Sequence, residues 1–309
     1  LLWSFIHTYY KSEKESRLII PSYPYTNDII NKGADPHIIA GSLLLAEGSR
    51  NVEGFNFSNK SRALHNLLVD AIYLEHSVYP TSYHLDTGDG CYRTYYSSKK
   101  ALEIRKRFED NFGSIRTKPS INRPLEFLKM TQPNLNNIKK RIDKKIALRV
   151  FSVTEGCVNL KVVDYNRKKN EITVNPIIHI SCANPSLLLS LYNLSSSLGF
   201  TPSLFKGETW SGWAGLKIPS HTDVVHFLEI GGFLEMVPVA RTDSYFYGYN
   251  KQQLFISILE LRKRLENDSH LRKLNINNLK KLAFDILTKK EYGSPDVYIK
   301  IKDSKNIFK

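Results

Sequence analysis

Two stretches of this 309-residue chain decide its fold: AGSLLLAEGS at residues 40–49 and ALRVFSVTEGC at residues 147–157. Each consists mostly of apolar and small residues and ends in Glu-Gly. A glycine directly after an apolar run is typical of a helix C-terminus, where it adopts a left-handed backbone conformation. Asp35 and Pro36 supply an N-cap and a first helical residue for the first run. The sequence therefore predicts two equivalent helices that end at Glu47 and Glu155.

The segments that follow the two helices have matching orders of predicted elements, which indicates an internal repeat. In the second half, strand patterns at 158–165 and 172–181 flank a charged turn, and a helix at 187–198, strands at 203–210 and 213–219 and a helix at 222–230 follow. In the first half, the pattern predicts a helix at 63–74, strands at 83–85 and 92–96 and a helix at 100–112. Asn59-Lys60-Ser61 and Asn184-Pro185-Ser186 mark corresponding helix starts. The expected fold class is α+β, with two pseudo-symmetric repeats.

This order divides the chain into five segments. Residues 1–34 form an N-terminal segment, 35–118 the first repeat, 119–145 a basic linker, 146–250 the second repeat and 251–309 a basic, helical C-terminal extension. Within the extension, the pattern predicts helices at 251–265 and 278–290 and an edge strand at 297–301.

The charge of the chain indicates a polyanionic partner. There are 44 basic and 30 acidic residues, and the formal net charge is +14. Lysines and arginines that neutralise phosphates release condensed counterions, so an excess of this size favours nucleic acid. The alternative is a chain that is simply soluble and basic. The charge does not distinguish DNA from RNA, whereas the hydrophobic content of 41% excludes a wholly disordered chain.

Cysteine spacing and hydropathy bear on the compartment. Cys91, Cys157 and Cys182 have no close spacing, so neither a disulfide framework nor a zinc site is expected. No apolar run approaches the ~20 residues that cross a bilayer, so no membrane partner is expected. A reducing intracellular location fits best, either cytoplasm or nucleoid, with an organelle left open.

The two motifs and their surroundings resemble the LAGLIDADG homing endonucleases in their single-chain, two-motif form. Residues 148–156 are similar to the family variant Leu-Arg-Gly-Phe-Phe-Asp-Thr-Glu-Gly, and the resemblance covers roughly residues 35–250. It implies two αββαββα repeats that form saddle-shaped antiparallel sheets. It also implies a monomeric, sequence-specific endonuclease for double-stranded DNA, either free-standing or intron-encoded.

The resemblance assigns the chemistry to the ends of the two signature helices. It implies that Glu47 and Glu155 are the catalytic acids and hold the divalent metal, which hard oxygen ligands and negative helix ends identify as Mg²⁺. Small residues such as Gly41, Ser42 and Ala46 would let the two helices approach closely. Lys251 and Lys118 are candidate catalytic lysines near the acids. The alternative for each glutamate is a solvated helix end, and for each lysine a solvated helix start.

The sheets of such a fold would lie in DNA major grooves and read base edges. The candidate contact residues are basic side chains on predicted strands or at the tip of the second hairpin, where they would lie near phosphates. On or near the strands they are Arg50, Lys60, Arg93, Lys161, Lys206 and Lys217, and at the tip Arg167, Lys168 and Lys169. The alternative for each is an ordinary exposed charge.

The sequence departs from the family pattern in three places. Ten residues separate Gly48 from Asn59, against 27 between Gly156 and Asn184, so the first hairpin is expected to be short. Val150 occupies a position where a small residue normally permits close helix packing. Leu45 and Val153 stand where many members have an extra Asp two residues before the acid.

Two alternatives to an endonuclease stay open. One is a non-cleaving DNA- or RNA-binding protein on the same scaffold, such as an intron maturase that binds intron RNA or a domesticated regulator. The other is an unrelated basic α/β protein in which the two Glu-Gly motifs coincide by chance.

Overall fold

A computed structural model describes residues 6–9, 18–86, 88, 90–115, 132–241, 244 and 246–288. The strands are β1 (Ile6–Tyr9), β2 (Leu18–Pro21), β3 (Gly48–Asn51), β4 (Gly54–Asn59), β5 (Ser82–Asp86), β6 (Cys91–Ser97), β7 (Gly156–Asn166), β8 (Glu171–Ser181), β9 (Ser203–Lys206) and β10 (Trp213–Ile218). The helices are α1 (Thr26–Asn31), α2 (Pro36–Glu47), α3 (Arg62–His76), α4 (Lys99–Phe112), α5 (Arg141–Thr154), α6 (Pro185–Ser197), α7 (His221–Glu229), α8 (Lys251–Glu266), α9 (Ser269–Arg272) and α10 (Ile276–Thr288). A 3₁₀ turn, Arg167–Lys169, joins β7 to β8.

The element order confirms the predicted repeat and the fold class. Both halves run helix, two strands, helix, two strands, helix, from α2 to α4 and from α5 to α7. The first half forms a four-stranded sheet in the order β3-β4-β6-β5, and the second half forms one in the order β7-β8-β10-β9. Every neighbouring pair in these two sheets is antiparallel.

Local capping interactions explain where the helices of the repeats begin. The Asp35 carboxylate accepts a hydrogen bond from the backbone N–H of His37 at 2.9 Å, with Pro36 in the first helical position, as the sequence predicts. In α6, the Asn184 side chain accepts from Leu187 N at 3.0 Å, again directly before a proline. These caps satisfy backbone donors that have no partner within the helix.

The two halves differ in the size of their first hairpin. Strands β3 and β4 have 4 and 6 residues, whereas β7 and β8 have 11 residues each. The short spacing from Gly48 to Asn59 leaves no room for longer strands, so the predicted truncation is confirmed. The two sheets therefore extend to different distances from the centre of the molecule.

Each of these sheets has one face in the core and one face directed away from it. In the second sheet, Val158, Ile178 and Leu216 are buried in the core. Side chains of paired residues lie on the same face and alternate along a strand, so Lys161 and Lys217 lie on the opposite face. In the first sheet, Phe55 and Phe57 face the core, and the opposite face carries Asn56, Ser58, Arg93 and Tyr95.

The two signature helices, α2 and α5, pack against each other with their N-terminal ends together. The Asp143 carboxylate, in the first turn of α5, accepts a hydrogen bond from Asp35 N at the start of α2, with a distance of 2.9 Å. Nearly every residue of α2 from Ile39 to Ala46 is buried, as expected for a helix enclosed on all sides. Because the helices begin together and pack side by side, they end at the same side of the molecule.

Gly41 does not serve the predicted close approach of the two signature helices. A Cβ placed on Gly41 would lie 2.1 Å from Cε2 of Phe112, so this glycine makes room for the aromatic ring of α4 rather than for the partner helix. Val150 is fully buried in the core cluster. The branched side chain is thus accommodated in the core.

The glycines of the two Glu-Gly motifs also differ from the prediction. Gly48 has φ −79° and ψ 156°, which is extended backbone, and Gly156 is not among the glycines with positive φ. Both positions require glycine because the chain passes close to the helix that it leaves. A Cβ on Gly48 would lie 2.4 Å from Leu44 O, and one on Gly156 would lie 2.2 Å from Ser152 O.

Helices α8 and α10, the described helices of the predicted C-terminal extension, pack against the second half. Phe255 of α8 contacts Phe227 of α7 and Phe233 edge-on, with ring centroids 5.7 and 5.5 Å apart. Helix α8 packs on β8, and Leu279 and Ala283 of α10 join the same core. The predicted strand at 297–301 lies outside the described residues.

Other boundaries differ by a few residues. Helix α5 begins at Arg141, so its first turn falls inside the segment assigned to the linker. Strand β9 ends at Lys206, and a turn at 207–212 replaces the rest of the predicted strand. No helix in the described part of the chain has the length and apolar character needed to span a membrane.

Candidate active site at the ends of the central helices

Glu47 and Glu155 lie at the C-terminal ends of α2 and α5, both half-buried. Glu47 lines a cavity of ≈ 240 Å³ together with Val153 and Thr154, which belong to the last turn of the partner helix. Glu155 lines a neighbouring cavity of ≈ 360 Å³ together with Leu45 and Ala46 of α2. Each acid therefore lies beside the end of the other helix.

Lys251 lies at the end of α5 and interacts electrostatically with both acids. Its Nζ donates hydrogen bonds to the carbonyl oxygens of Val153 and Gly156, both at 2.6 Å. Burial lowers the pKa of Lys251 from 10.5 to about 8, while Cys157, Glu155 and Glu47 act in the opposite direction. A single buried cation thus interacts with both glutamates, which places both acids in one electrostatic site.

The two hydrogen bonds define what Lys251 does. The last carbonyls of a helix have no partner within it and carry partial negative charge, so a lysine there stabilises the helix end. Lys251 is the first residue of α8, after the N-cap Asn250, whose side chain accepts from Gln252 N and Gln253 N. Helix α8 therefore places this cation beside the end of α5. Lys118, its predicted counterpart, lies outside the described residues.

A hydrogen-bond chain supports Glu47, and the sequence analysis did not assign its members to the site. Asn59 donates from Nδ2 to Glu47 Oε1 at 3.4 Å and accepts from Ser61 N at 2.8 Å. The Asn59 carbonyl accepts from His65 Nε2 at 3.1 Å, and His65 Nδ1 lies 2.6 Å from the Thr94 hydroxyl. Because a carbonyl only accepts, the Nε2–H tautomer of His65 is the one that fits.

Asn184 has a corresponding place in the second half. It caps α6 and lines the same cavity as Glu155. The repeated Asn-x-Ser was the available signal, although its two asparagines differ in local structure: Asn59 ends β4, whereas Asn184 caps α6. From the sequence alone, this repeat indicated only matched helices.

Burial sets the charge state of His65. Its pKa falls from 6.5 to about 3 because the buried ring loses the solvation of its charged form. The ring therefore stays neutral at neutral pH. It fixes β4 and β6 around Asn59 without adding charge next to the acids.

The predicted contact residues occupy three kinds of position. Lys161 and Lys217 lie on the face of the second sheet that points away from the core, and Lys60 lines the cavity of Glu47. Arg167, Lys168 and Lys169 lie in the turn at the tip of the long hairpin. Lys206 has its Nζ 5.9 Å from the centre of the Trp213 ring.

The two arginines of the first sheet differ. Arg93 lies on the open face, with its Nε 3.1 Å from Asp86 Oδ2. Arg50 pairs in register with the core-facing Phe55, and its Nε lies 2.5 Å from Glu109 Oε1 on α4. We therefore exclude Arg50 from the candidate contact surface, because it faces the helices. A shift of one residue in strand pairing moves a side chain to the other face of a sheet, so the pairing of Arg50 with Phe55 and of Arg93 with Ser58 places the two arginines on opposite faces.

The donor set at the centre fits a hard divalent cation. Two carboxylates from two helix ends supply oxygen ligands, and their partial burial limits competition from water. The Lys251 ammonium donates to the carbonyls of Val153 and Gly156 and places a positive charge near both carboxylates. Glu47 and Glu155 are the residues that would hold it.

No family model and no curated protein matches this chain, whereas solved structures do. The LAGLIDADG meganuclease I-AabMI, bound to uncleaved DNA, has 13% sequence identity and a TM-score of 0.50, with 80% of this chain and 97% of that chain covered. The meganuclease I-SmaMI, bound to uncleavable DNA, has 14% identity and a TM-score of 0.49, with coverages of 81% and 97%. The N-terminal LAGLIDADG domain of DUF199/WhiA has 13% identity and a TM-score of 0.41, with coverages of 68% and 90%.

Proposed function

Because this chain has the fold of the LAGLIDADG homing endonucleases, we propose that it is a sequence-specific endonuclease that hydrolyses double-stranded DNA with Mg²⁺ held by Glu47 and Glu155. The observation that carries the proposal is the buried Lys251, which interacts electrostatically with both carboxylates at the ends of two helices that begin together. Two equivalent acids at one centre provide one acid for each of the two DNA strands that are cut.

The residues around the acids have separate roles in this proposal. Asn59 orients Glu47 through the 3.4 Å hydrogen bond, and Lys251 fixes the end of α5 and moderates the repulsion between the two carboxylates. When bound, a divalent cation supplies Lewis-acid stabilisation of the scissile phosphate and an activated water. The carboxylates position that ion, and the buried residues that lead up to them in α2 and α5 hold them in place.

The open faces of the two sheets form the proposed DNA surface. Lys161, Lys217 and Arg93 are on these faces and would approach base edges, whereas Arg167, Lys168 and Lys169 would contact phosphates. The net charge of +14 supports a polyanionic ligand of this kind. We expect the protein to act as a monomer, because one chain supplies both halves of the centre.

Substitution of the acids tests the catalytic part of the proposal. A target is first selected from a randomised DNA library by cleavage with and without Mg²⁺. On that target, we expect Glu47→Gln and Glu155→Gln each to lower the cleavage rate by at least about a hundredfold, since each removes a charged group that stabilises the transition state. Binding, measured by electrophoretic mobility shift, should change little because the shape of the side chain is kept.

Glu103→Gln is the matched control, since Glu103 is exposed on α4 away from the centre, and this variant should cleave at the wild-type rate. If both acid variants cleave as fast as Glu103→Gln, the assignment of the acids is wrong.

A second candidate function is binding without cleavage, with duplex DNA or structured intron RNA as the ligand. The short β3–β4 hairpin favours it, because this half offers less surface for a DNA groove. Tight binding to a selected duplex or intron RNA, with no nicking at any Mg²⁺ concentration, is the result that this candidate predicts.

A further inference from the structure

Three metal-ligating side chains meet at the end of α2 that lies opposite Glu47. His37 is in the first turn of α2, and Glu75 and His76 end α3. Their candidate ligand atoms all lie within 4.8 Å of one another, and they form the one such group found in the described part of the chain. We propose that His37, Glu75 and His76 form a binding site for a Zn²⁺-type transition-metal ion.

The spacing of the ligand atoms is close to that of a tetrahedral zinc site. His37 Nδ1 lies 3.0 Å from Glu75 Oε1, and His76 Nε2 lies 3.2 Å from Glu75 Oε2. Zinc bonds of ~2.0–2.1 Å at tetrahedral angles place two ligand atoms roughly 3.3 Å apart. Small side-chain rotations therefore bring the three groups around one ion and leave a fourth position for water.

His76 provides the second observation that points to a ligand. Its side chain is only 9% exposed, and its Nε2 is buried without a hydrogen bond, although Glu75 Oε2 is near. A buried polar atom of this kind requires an explanation, because most such atoms are paired. The His76 ring packs edge-on against Phe108, with centroids 6.2 Å apart, and this packing fixes the orientation of the ring and of its Nε2.

The surroundings of His37 resemble the outer shell of a metal site. Its ring stacks on Phe108 and Phe112, and its Nε2 lies 2.9 Å from Asn111 Nδ2. A metal on Nδ1 requires the proton on Nε2, and the oxygen of a rotated Asn111 amide then accepts a hydrogen bond from that N–H. Arg107 approaches Glu75 at 3.4 Å, but its side chain is 62% exposed and free to turn toward solvent.

This site would be separate from the proposed catalytic centre in both place and chemistry. Glu47 follows His37 by ten positions, roughly 15 Å along the helix. Two imidazoles favour zinc over magnesium, whereas two carboxylates favour magnesium. A bound ion would join α2 to α3 at the end where Asp35 and Asp143 already join α2 to α5.

Metal binding to the full-length protein tests the inference. After treatment with a chelator, the protein is titrated with Co²⁺, and the visible ligand-field absorption and the thermal midpoint Tm are recorded. We expect one tetrahedral Co²⁺ per chain, identified by intense visible absorption without sulfur charge-transfer bands, together with its displacement by Zn²⁺ and a higher Tm with Zn²⁺. A Co²⁺ ion held by the carboxylates of Glu47 and Glu155 in octahedral oxygen coordination absorbs only weakly and is not counted. His76→Gln should weaken Zn²⁺ binding by at least about tenfold. Glu47→Gln should leave Zn²⁺ binding unchanged, because Glu47 belongs to the other centre. Failure of the zinc inference can therefore be distinguished from failure of the nuclease proposal.

His226→Ala is the matched control, because His226 forms a similar 3.1 Å contact with Glu229 but belongs to no three-ligand group among the described residues. The inference is overturned if wild-type protein binds no tetrahedral Co²⁺, if thiolate bands dominate the spectrum, or if His76→Gln binds Zn²⁺ as tightly as His226→Ala. The wild-type spectrum decides the question even if a variant fails to fold.

Discussion

At the scale of single residues, the candidate centre depends on a few buried polar groups with defined partners. Lys251 is held by the carbonyl of Val153 in the last turn of α5 and by that of Gly156 at the start of β7, and Asn59 links Glu47 to the buried, neutral His65. Such groups are costly to bury without partners, so each requires its neighbours to be in place. The positions of the two acids are therefore set by residues distant in sequence.

The lowered pKa of Lys251 gives a stability prediction for Lys251→Met. The unfolded chain keeps this proton up to about pH 10.5, and the folded protein loses it above about pH 8. Since the unfolded state binds more protons between these values, the free energy of unfolding of wild type rises with pH relative to the variant. From pH 7.5 to 9.5, we expect the free energy of unfolding of wild type to rise by about 2 kcal/mol relative to that of Lys251→Met.

Urea denaturation at several pH values measures this difference. Lys263→Met on the exposed side of the same helix is the control, and its difference from wild type should stay constant over this range. A Lys251→Met difference that is equally flat would show that the lysine is not buried as described.

At the scale of elements, the unequal hairpins distinguish the two halves. Eleven-residue strands extend roughly 37 Å, whereas strands of four to six residues extend roughly 14–20 Å. Both hairpins start at a Glu-Gly motif, so they extend outward from the same centre. The sequence predicts this difference, because 10 residues lie between Gly48 and Asn59, whereas 27 lie between Gly156 and Asn184.

This inequality predicts an asymmetric DNA target. At ~3.4 Å per base pair, the long hairpin reaches about ten base pairs from the centre and the short one about half as far. Deep sequencing of selected sites should therefore show sequence preference that extends about twice as far on one side. Lys161→Ala in β7 should relax the preference only on the long side, and Arg93→Ala only on the short side. Preferences of equal length on both sides would contradict this assignment of the sheets.

At the scale of the whole molecule, the positive charge and the two curved sheets act together. The net charge of +14 attracts phosphates at any sequence, and the open faces limit where a duplex fits. The tip residues Arg167, Lys168 and Lys169 extend this charge outward from the second half.

Salt dependence tests the phosphate contacts. Lys168→Gln should weaken DNA binding by a similar factor for all sequences and reduce the slope of log K against log[salt] by about 0.9, since one counterion fewer is released. Fluorescence anisotropy at several salt concentrations measures this slope. Lys32→Gln, near the opposite end of α2, should leave it unchanged. Equal slopes for wild type and Lys168→Gln would remove the hairpin tip from the DNA surface.

The amino-acid sequence by itself determined the repeat, the two signature helices, the short first hairpin and the two candidate acids. These features are local, because apolar periodicity, caps and the spacing between Glu-Gly motifs are all encoded over a few tens of residues. For the same reason, the positions of Asp35 and Asn184 at helix starts followed from residue type.

Only the tertiary structure decided which residues meet at the centre and which face each strand presents. Lys251 reaches Val153 across a separation of 98 residues, and the placement of Arg50 on the helix side depends on strand register. The packing of α8 in the second half and the need for Gly48 and Gly156 in extended conformation likewise follow from close approaches within or between elements. Such contacts depend on how surfaces fit in three dimensions, which the local sequence pattern does not encode.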